Sequence, residues 1–306
     1  MQILSGYFAA LPTPFTTDGS SIADRTVGDL VDHNLKAGLH GLYVGGSTGE
    51  AFLMTIEERA RLLQLVAEAS DGRTTLIAHV GDPNPAVSAS LASIAAAADY
   101  GAISAVPPFY YQYGMGEIVA HYRWLAGQTD LPFLIYNFPA LSGVRWTPEE
   151  LSQLLELPNV AGVKNTCSDL YAFEQLRRLA PRACLLHGFD ETLLAGLSMG
   201  ADGGIGSTYN LQAARILKLA DAWKAGDQAV AQLHQSDANR LIDVLVSVGV
   251  LPALKHMLGQ LGLAMGPCRR PFEPLSRKQT TILDDAMDLI SATSLSAHRN
   301  QSVASG

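Results

Sequence analysis

Residues 41–80 read GLYVGGSTGEAFLMTIEERARLLQLVAEASDGRTTLIAHV, and this stretch carries the pattern that decides the fold. It opens with the apolar run Gly41–Gly45 and closes with the apolar run Thr75–Val80. Both runs are almost continuously apolar, which is typical of parallel strands that are covered on both faces. Between them, Thr55-Ile-Glu-Glu places a capping hydroxyl before acidic residues and predicts the start of a helix. The stretch therefore predicts a strand–helix–strand unit.

The same unit recurs along the whole chain. Apolar runs of this kind occupy Tyr7–Pro12, Gly41–Gly45, Thr75–Val80, Ala102–Val106, Phe133–Asn137, Val160–Lys164, Cys184–Gly188 and Gly203–Ser207. A helical pattern follows each run, and Thr147-Pro-Glu-Glu repeats the start signal with proline at the first helical position. Eight such units in strict alternation predict an α/β fold of the (β/α)8 TIM barrel type rather than a doubly wound open sheet.

After the eighth unit the pattern becomes purely helical, over Asp227–Ser247, Pro252–Leu261 and Ser276–Ser294. We therefore predict a barrel over residues 1–226, a C-terminal helical region over 227–297, and a loose tail over 298–306, where the residues are small and polar.

Composition excludes several classes of function. Of the 306 residues, 48% are hydrophobic and 16% are charged, which predicts a large core and argues against disorder. The formal net charge of −8 argues against nucleic-acid binding, which requires a basic face. Cys167, Cys184 and Cys268 are an odd number without paired spacing, which fits a reducing compartment. Without a basic, apolar leader or a run of about 18 apolar residues, we expect a cytoplasmic protein with no membrane partner.

Lys164 is the first candidate for chemistry, because active sites of such barrels lie at the C-terminal ends of the strands. It directly follows the apolar run Val160-Ala-Gly-Val. Partial desolvation there favours the neutral amine, a nucleophile that forms Schiff bases with ketones. The alternative is a lysine that extends from the barrel mouth to pair with a carboxylate. The other five lysines fall on segments that we interpret as polar helices or tail: Lys36, Lys218, Lys224, Lys255 and Lys278.

Tyr136 ends the predicted strand before the lysine strand. Adjacent strands lie about 4.8 Å apart, so its phenol is expected to reach the lysine nitrogen and to transfer protons there. The alternative is a core tyrosine whose hydroxyl is satisfied by the protein.

Gly45-Gly-Ser47-Thr48-Gly-Glu50 joins the second strand to its helix. Its glycines allow a ligand close to the backbone, and the two hydroxyls with nearby N–H groups suit a carboxylate or a phosphate. The alternative is an ordinary glycine-rich turn. No Gly-Lys-Ser/Thr follows, so it is not a P-loop. The second glycine-rich turn, Gly203–Ser207, lacks the spacing of a dinucleotide site, which leaves a nicotinamide cofactor unsupported.

Asp190 and Glu191 follow the seventh strand and suit sugar hydroxyls, acid–base work or a metal, whereas the alternative is helix capping. A metal requires convergent ligands, and most histidines fall away from strand ends. His79 and His187 lie inside strand runs and are interpreted as core residues. We therefore predict no metal.

In order along the chain, these motifs resemble the dihydrodipicolinate synthase and N-acetylneuraminate lyase family of class I aldolases, closest to its lyase branch. The resemblance covers nearly the whole chain. It rests on Tyr43-Val-Gly-Gly-Ser47-Thr48-Gly-Glu50, Pro108-Phe-Tyr110-Tyr111, Tyr136-Asn-Phe-Pro-Ala-Leu141, Gly162-Val-Lys164-Asn-Thr166, Gly188-Phe-Asp190-Glu191, Gly206-Ser207-Thr-Tyr-Asn and Cys268-Arg-Arg-Pro-Phe272.

The resemblance implies a reaction and a role for each matched residue. Lys164 would form an imine with pyruvate, Tyr136 would transfer protons, and no other cofactor would be needed. Ser47 and Thr48 would bind the substrate carboxylate, and Tyr110 would enter the site of a neighbouring subunit in a homotetramer. Ser47 and Tyr110 would also belong to the catalytic set. The sugar hydroxyls and glycerol tail would be held by Thr166, Gly188, Asp190, Glu191 and Ser207. The implied activity is reversible cleavage of N-acetylneuraminate to pyruvate and N-acetylmannosamine.

Four positions depart from family patterns. Pro107 stands where the lyases mostly have threonine, Asn165 where they often have glutamine, and Leu251 where an aromatic is frequent; these bear on the preferred sugar. Leu141 stands where the synthases carry an arginine that holds the carboxylate of their aldehyde substrate. Two rival functions are a family aldolase or dehydratase acting on another 2-keto acid, such as a 2-keto-3-deoxy sugar acid or the dihydrodipicolinate precursor, and a barrel that binds a sugar acid without turnover.

Overall fold

Eight parallel strands close into a barrel in the computed structural model, which describes residues 4–290. The strands are Gly6–Ala10 (β1), Gly41–Val44 (β2), Thr75–His79 (β3), Ala102–Ala105 (β4), Phe133–Asn137 (β5), Val160–Asn165 (β6), Cys184–His187 (β7) and Gly203–Gly206 (β8). Each strand pairs with its neighbours in sequence, and β8 returns to pair with β1. The predicted (β/α)8 barrel is confirmed, and every predicted apolar run overlaps a strand.

Helices connect the strands on the outside of the barrel. They are Asp24–Lys36 (α1), Ile56–Ser70 (α2), Pro85–Ala97 (α3), Met115–Ala126 (α4), Pro139–Ser142 (α5), Pro148–Leu154 (α6), Leu170–Leu179 (α7), Leu193–Ser198 (α8) and Tyr209–Lys224 (α9). Both predicted start signals form capping boxes, in which the Thr55 and Thr147 hydroxyls each accept from a backbone N–H at 3.2 Å. The helix that follows β7 begins only at Leu193, because Asp190–Thr192 first forms a 3₁₀ turn.

Side chains of the barrel form two apolar layers, because successive residues of a strand face opposite sides. The outer layer fills the space between strands and helices, and Leu42 and Val44 of β2 belong to it. The inner layer fills the barrel itself with Phe8, Ala10, Tyr43, Ile77, Ala102, Leu134, Tyr136, Leu186 and Ile205. Tyr43 and Tyr136 therefore lie inside the barrel, where Lys164 also ends.

The C-terminal helical region covers part of the barrel mouth. Its helices are Gln228–Val248 (α10), Val250–Gln260 (α11) and Arg277–Asp285 (α12), followed by a 3₁₀ turn over Met287–Ile290. The Gln235 and Asn239 side chains of α10 donate to the backbone carbonyls of Asp190 and Glu191, each at 3.0 Å. The last part of the predicted region, 291–297, and the predicted tail, 298–306, lie outside the described residues.

Across residues 4–290 the length and apolar character of a membrane span are found in no single helix. Within these residues, α10 and α11 have that length and apolar character only when they are taken together, and the two helices are bent by 115° at the break between them.

Candidate active site

Lys164 and Tyr136 face each other across neighbouring strands at the C-terminal end of the barrel, where β5 and β6 pair them in register. Lys164 is only 4% exposed. Its Nζ atom lies 3.9 Å from the centre of the Tyr136 ring and 4.1 Å from the centre of the Tyr43 ring. The two rings are nearly perpendicular, at 81°, with their centres 6.0 Å apart. The amine is therefore held between two aromatic faces.

The Lys164 amine has no carboxylate partner and no hydrogen bond within the described part of the chain. The alternative of a lysine that reaches out to an acidic residue is therefore wrong. Aromatic faces attract an ammonium ion, but they replace only part of the hydration that burial removes. Among the described residues the Lys164 nitrogen is bound to no other side chain, and it is therefore free to meet a carbonyl carbon.

The Tyr136 hydroxyl also has no hydrogen-bond partner among residues 4–290, so the interpretation as a core tyrosine with a satisfied hydroxyl is wrong. The Tyr43 hydroxyl differs, because it donates to Ser104 Oγ at 3.2 Å. Burial, with a smaller contribution from Tyr136, raises the pKa of Tyr43 well above its ordinary value. Tyr43 therefore stays protonated and contributes its ring, whereas Tyr136 offers a free hydroxyl.

Ser47 and Thr48 form a cradle of unused donors in the turn after β2. Their backbone N–H groups and their hydroxyls have no partner in the described structure. The turn itself is rigid: Glu50 N–H donates to Ser47 O at 3.1 Å, and Thr13 Oγ1 donates to Gly49 O at 2.6 Å. Gly45 adopts a left-handed φ of 70°, which glycine adopts without strain. Four unused donors within one turn suit a carboxylate, as the sequence predicts.

His79 fixes the start of this cradle. Burial, reinforced by the positive charges of Arg59 and Lys164, lowers the pKa of His79 well below its ordinary value, so the ring is neutral. Its Nε2 accepts from Val106 N–H at 3.4 Å, which leaves Nδ1–H to donate to Gly45 O at 3.0 Å. The predicted core role of this histidine holds, and the ring anchors the backbone of the cradle.

The opposite side of the mouth carries the residues expected to bind sugar hydroxyls. Asp190 is buried, and its Oδ2 accepts from the backbone N–H of Thr208 at 2.8 Å and from its hydroxyl at 2.6 Å. Burial raises the pKa of Asp190 to about 6, although the Thr208 hydrogen bonds oppose the shift. Asp190 does not cap its own turn, so the capping alternative is wrong for this residue. The Thr166 hydroxyl is buried and lacks a partner within residues 4–290.

Glu191, Gly188 and Ser207 complete that side at the ends of β7 and β8. Glu191 is exposed, and only its backbone carbonyl is engaged, by Asn239. Gly188 and Ser207 are half-buried. Their backbone positions and the free Glu191 carboxylate offer donors and acceptors to a polar tail.

Tyr110 is the one predicted site residue that the structure does not bring to this chain's own site. Its side chain is 86% exposed and packs edge-on against Tyr111, with ring centres 5.1 Å apart. Its φ of 83° is rare for a residue with a side chain and indicates a loop held in a specific shape.

A cavity of about 350 Å³ opens beside the cradle. Ser47 lies at its polar edge, and most of its lining is apolar: Phe52, Val106, Phe109, Phe138, Leu141, Leu251, Pro271 and Phe272. Among the described residues this lining contains no arginine and no lysine. Arg145, the arginine nearest to Leu141 in sequence, lines a different cavity with Trp146 and Asp169.

Tyr43 is the site residue that our sequence analysis missed as a chemical contributor. The sequence did contain a signal for it. Successive residues of a strand face opposite sides, and this alternation along β2 places Tyr43 inside the barrel. Within residues 4–290 no three His, Cys, Asp or Glu side chains cluster as metal ligands would. His187 is buried with Nε2 2.9 Å from Thr192 Oγ1, and burial lowers its pKa to about 4.

Comparison with curated proteins gives consistent relatives over nearly the whole chain. N-acetylneuraminate lyase of Rhizobium meliloti (strain 1021) is 45% identical over 284 residues, which cover 93% of this chain and 94% of the relative. N-acetylneuraminate lyase of Salmonella typhimurium is 44% identical over 279 residues, which cover 90% of this chain and 94% of the relative.

Solved structures agree on the fold. CdNal from Clostridium difficile, in complex with mannosamine, superposes with a TM-score of 0.92 at 30% identity and covers 95% of this chain and 100% of that one. A dihydrodipicolinate synthase from Bacillus anthracis superposes with a TM-score of 0.90 at 26% identity and covers 94% and 99%. The backbone therefore matches both branches about equally, and the higher identities are with lyases. Because residues 3–290 match the model of the Dihydrodipicolinate synthetase family, the chain belongs to that family.

Proposed function

We propose that this protein is a Schiff-base aldolase that cleaves N-acetylneuraminate reversibly to pyruvate and N-acetylmannosamine. The observation that carries the proposal is the buried, unpaired Lys164 amine between two tyrosine rings. The names of the lyase relatives, at 44–45% identity over about nine-tenths of the chain, support the substrate.

The reaction begins when the Lys164 nitrogen attacks the C2 ketone and the resulting carbinolamine loses water to give a protonated imine. The imine accepts the electron pair of the C3–C4 bond as that bond breaks. Tyr136 first gives its hydroxyl proton to the carbinolamine oxygen, which leaves as water. Its phenolate then accepts the proton of the C4 hydroxyl, so that C4 becomes the aldehyde carbon of N-acetylmannosamine. The enamine that remains is protonated at C3, and hydrolysis releases pyruvate and the free amine. No cofactor is required for these steps.

The cradle orients the substrate for this sequence. Ser47 and Thr48 donate to the C1 carboxylate, which places C2 near the lysine. We also place Ser47 in the catalytic set, together with Tyr136 and with Tyr110 of a neighbouring subunit. On the other side, the polar tail of the substrate is bound by Thr166, Gly188, Asp190, Glu191 and Ser207.

Leu141 favours the lyase reaction over dihydrodipicolinate synthesis. It is 67% exposed and lines the cavity beside Ser47, where the synthases of the family carry an arginine. A leucine offers no forked pair of donors to the carboxylate of an incoming aldehyde. Arg145 does not replace it, because it lines a different cavity.

We also propose a homotetramer in which Tyr110 completes the site of an adjacent subunit. The exposure of Tyr110 and Tyr111 supports this, because neighbouring exposed aromatics on a loop are typical of subunit contacts. A cytoplasmic location is supported by the three free cysteines, Cys167, Cys184 and Cys268.

A pyruvate assay coupled to lactate dehydrogenase tests the substrate. N-acetylneuraminate and a 2-keto-3-deoxy sugar acid are compared for cleavage, and condensation of pyruvate with aspartate semialdehyde is measured separately. We expect cleavage of N-acetylneuraminate and negligible condensation. Glu191→Ala is expected to raise KM for N-acetylneuraminate but to leave imine formation with pyruvate intact. The reverse substrate preference would refute the lyase assignment and leave the Schiff-base chemistry standing.

A further inference from the structure

Lys255 is a second buried lysine, and its partner Glu50 belongs to the same turn as the Ser47–Thr48 cradle. Our expectation that it occupies a polar helical segment is wrong, because it is only 3% exposed. From α11 its amine reaches the Glu50 carboxylate and forms an ion pair in which the Glu50 side chain is fully buried. The pair joins residues that are 205 positions apart in sequence.

Three further contacts hold the pair in place. Lys255 Nζ donates to Pro267 O at 3.1 Å and lies 4.3 Å from the centre of the Phe15 ring. Arg269 N–H donates to the second Glu50 oxygen, Oε2, at 2.7 Å. The C-terminal region therefore supplies both the cation and a backbone donor to a carboxylate that belongs to the barrel.

Glu50 is part of the same turn as the cradle. It lies two residues after Thr48, its N–H donates to Ser47 O at 3.1 Å, and it lines the same cavity as Ser47. Its φ of 57° is left-handed, a conformation that residues with side chains rarely adopt unless neighbouring contacts hold them. The contacts of its carboxylate with Lys255 and Arg269 are suited to hold it there.

The charge of Glu50 also bears on binding. A carboxylate this close to the cradle repels a substrate carboxylate unless a cation compensates it, and burial strengthens that repulsion. Burial lowers the pKa of Lys255, and the adjacent Glu50 charge offsets part of this effect.

We propose that Lys255 is a positioning residue of the C-terminal region that acts through Glu50: it cancels the Glu50 charge beside the Ser47–Thr48 cradle so that a 2-keto acid carboxylate binds there. This inference rests on the proposed function, because it assigns the cradle to the substrate carboxylate. It gives the C-terminal helices a role in carboxylate binding, although Lys255 touches no reacting atom.

KM for pyruvate in the condensation with N-acetylmannosamine tests the inference, because KM does not depend on the fraction of enzyme that is folded. We compare Lys255→Met, Glu50→Gln and the double variant Glu50→Gln/Lys255→Met. The matched control is Lys278→Met, an exposed lysine of α12. Lys255→Met is expected to raise KM by about 10- to 100-fold, the effect of one uncompensated charge near an anion at an effective dielectric constant near 20.

Glu50→Gln, the double variant and Lys278→Met are expected to keep KM within about threefold of the wild type, because none leaves a bare carboxylate beside the cradle. If Lys255→Met does not fold, Glu50→Gln and the double variant still decide the matter. A purely structural role predicts that Glu50→Gln and the double variant raise KM as strongly as Lys255→Met. That result, or an unchanged KM in folded Lys255→Met, would overturn the inference alone. A wild-type protein that forms no pyruvate adduct would overturn the proposed function and this inference together.

Discussion

Lys164 and Lys255 are both buried, at 4% and 3% exposure, yet their surroundings are opposite. Lys164 has two aromatic faces and no counter-ion within residues 4–290, whereas Lys255 has one aromatic face, a carboxylate and a carbonyl. Burial alone therefore does not make a lysine a nucleophile. We propose that the difference lies in the partners, because Glu50 and the Pro267 carbonyl hold the Lys255 amine, whereas the Lys164 amine is bound to no side chain within residues 4–290 and can meet a carbonyl carbon.

The two lysines also differ in what they contribute to stability. An unpaired buried amine costs free energy in the folded state, and a protein keeps such a group where function requires it. A buried ion pair that loses one partner leaves the other charge uncompensated, which is strongly destabilising. The same substitution, lysine to methionine, is therefore expected to change stability in opposite directions at the two positions.

The largest expected effect is on activity at Lys164. Lys164→Met removes the nucleophile and should lower kcat by at least about 10⁴-fold. The free energy of unfolding should rise by about 1–3 kcal/mol, because an unpaired buried amine is replaced by an apolar side chain of similar length. The coupled pyruvate assay and denaturant unfolding measure the two quantities. A Lys164→Met protein that is inactive but clearly less stable than the wild type would contradict the expected difference in stability effects between Lys164 and Lys255.

The next effect separates the two rings around Lys164. Tyr136→Phe keeps the aromatic face but removes the free hydroxyl, so kcat should fall by about 10²- to 10⁴-fold while borohydride still traps pyruvate on the lysine. Tyr43→Phe is the matched control, because it loses only the hydrogen bond to Ser104. Equal losses of kcat in the two variants would contradict the assignment of proton transfer to Tyr136.

The third effect concerns stability at Lys255. Lys255→Met should lower the free energy of unfolding by about 3–5 kcal/mol, because the Glu50 charge is left buried without its cation. The double variant Glu50→Gln/Lys255→Met should recover part of that loss, and exposed Lys278→Met should stay within about 0.5 kcal/mol of the wild type. Denaturant unfolding that shows Lys255→Met to be as stable as the wild type would remove the contrast with Lys164.

The smallest effect is a pH dependence at Asp190, a carboxylate that forms no ion pair with Lys164. With its pKa raised to about 6, Asp190 takes up a proton as the pH falls from 7 to 5 and becomes a poorer acceptor for sugar hydroxyls. KM for N-acetylneuraminate should therefore rise about tenfold over this range, and Asp190→Asn should flatten that profile. Borohydride trapping with pyruvate, which has no sugar tail, serves as the control and should lack this dependence on Asp190.

The raised pKa of Asp190 also makes the stability of the protein depend on pH. The folded pKa of Asp190 lies above the ordinary value of 3.8, so the native state binds this proton more readily than the unfolded chain. The contribution of Asp190 to stability is therefore most favourable below about pH 4 and is lost as the pH rises through about 6. Asp190→Asn should remove that component from the pH dependence of unfolding. The free energy of unfolding in urea is measured at pH 4.5 and pH 7 for the wild type and for Asp190→Asn. If it changes equally between the two pH values in both proteins, the raised pKa of Asp190 is contradicted.

Local sequence signals were enough to predict the barrel and to place Lys164 and Tyr136 next to each other on neighbouring strands. The apolar runs, the capping boxes at Thr55 and Thr147, and the position of Lys164 after a buried strand all depend on neighbours within a few residues. The sequence left open whether the Lys164 amine and the Tyr136 hydroxyl have partners. The answer depends on which side chains the other strands bring close to them, and this cannot be read from neighbouring residues.

Long-range partners account for the errors. The partner of Lys255 is Glu50, 205 positions away, so nothing in the sequence of α11 showed that this lysine is buried and paired. Asp190 bonds to Thr208 across two strand ends rather than capping its own turn, and this too depends on the closed barrel. The alternation of side chains along β2 would have predicted that Tyr43 faces the inside of the barrel. No residue near it in sequence indicated that its ring lies beside Lys164.

Borohydride reduction in the presence of pyruvate shows whether Lys164 is the nucleophile. After proteolysis, mass spectrometry identifies which lysine carries the reduced N-(1-carboxyethyl) group. We expect a single modified lysine, Lys164, with loss of activity in proportion to labelling and with Lys255 unmodified in the same sample. Label on Lys255 or another lysine, or no label at all under conditions of full activity, would contradict the claim.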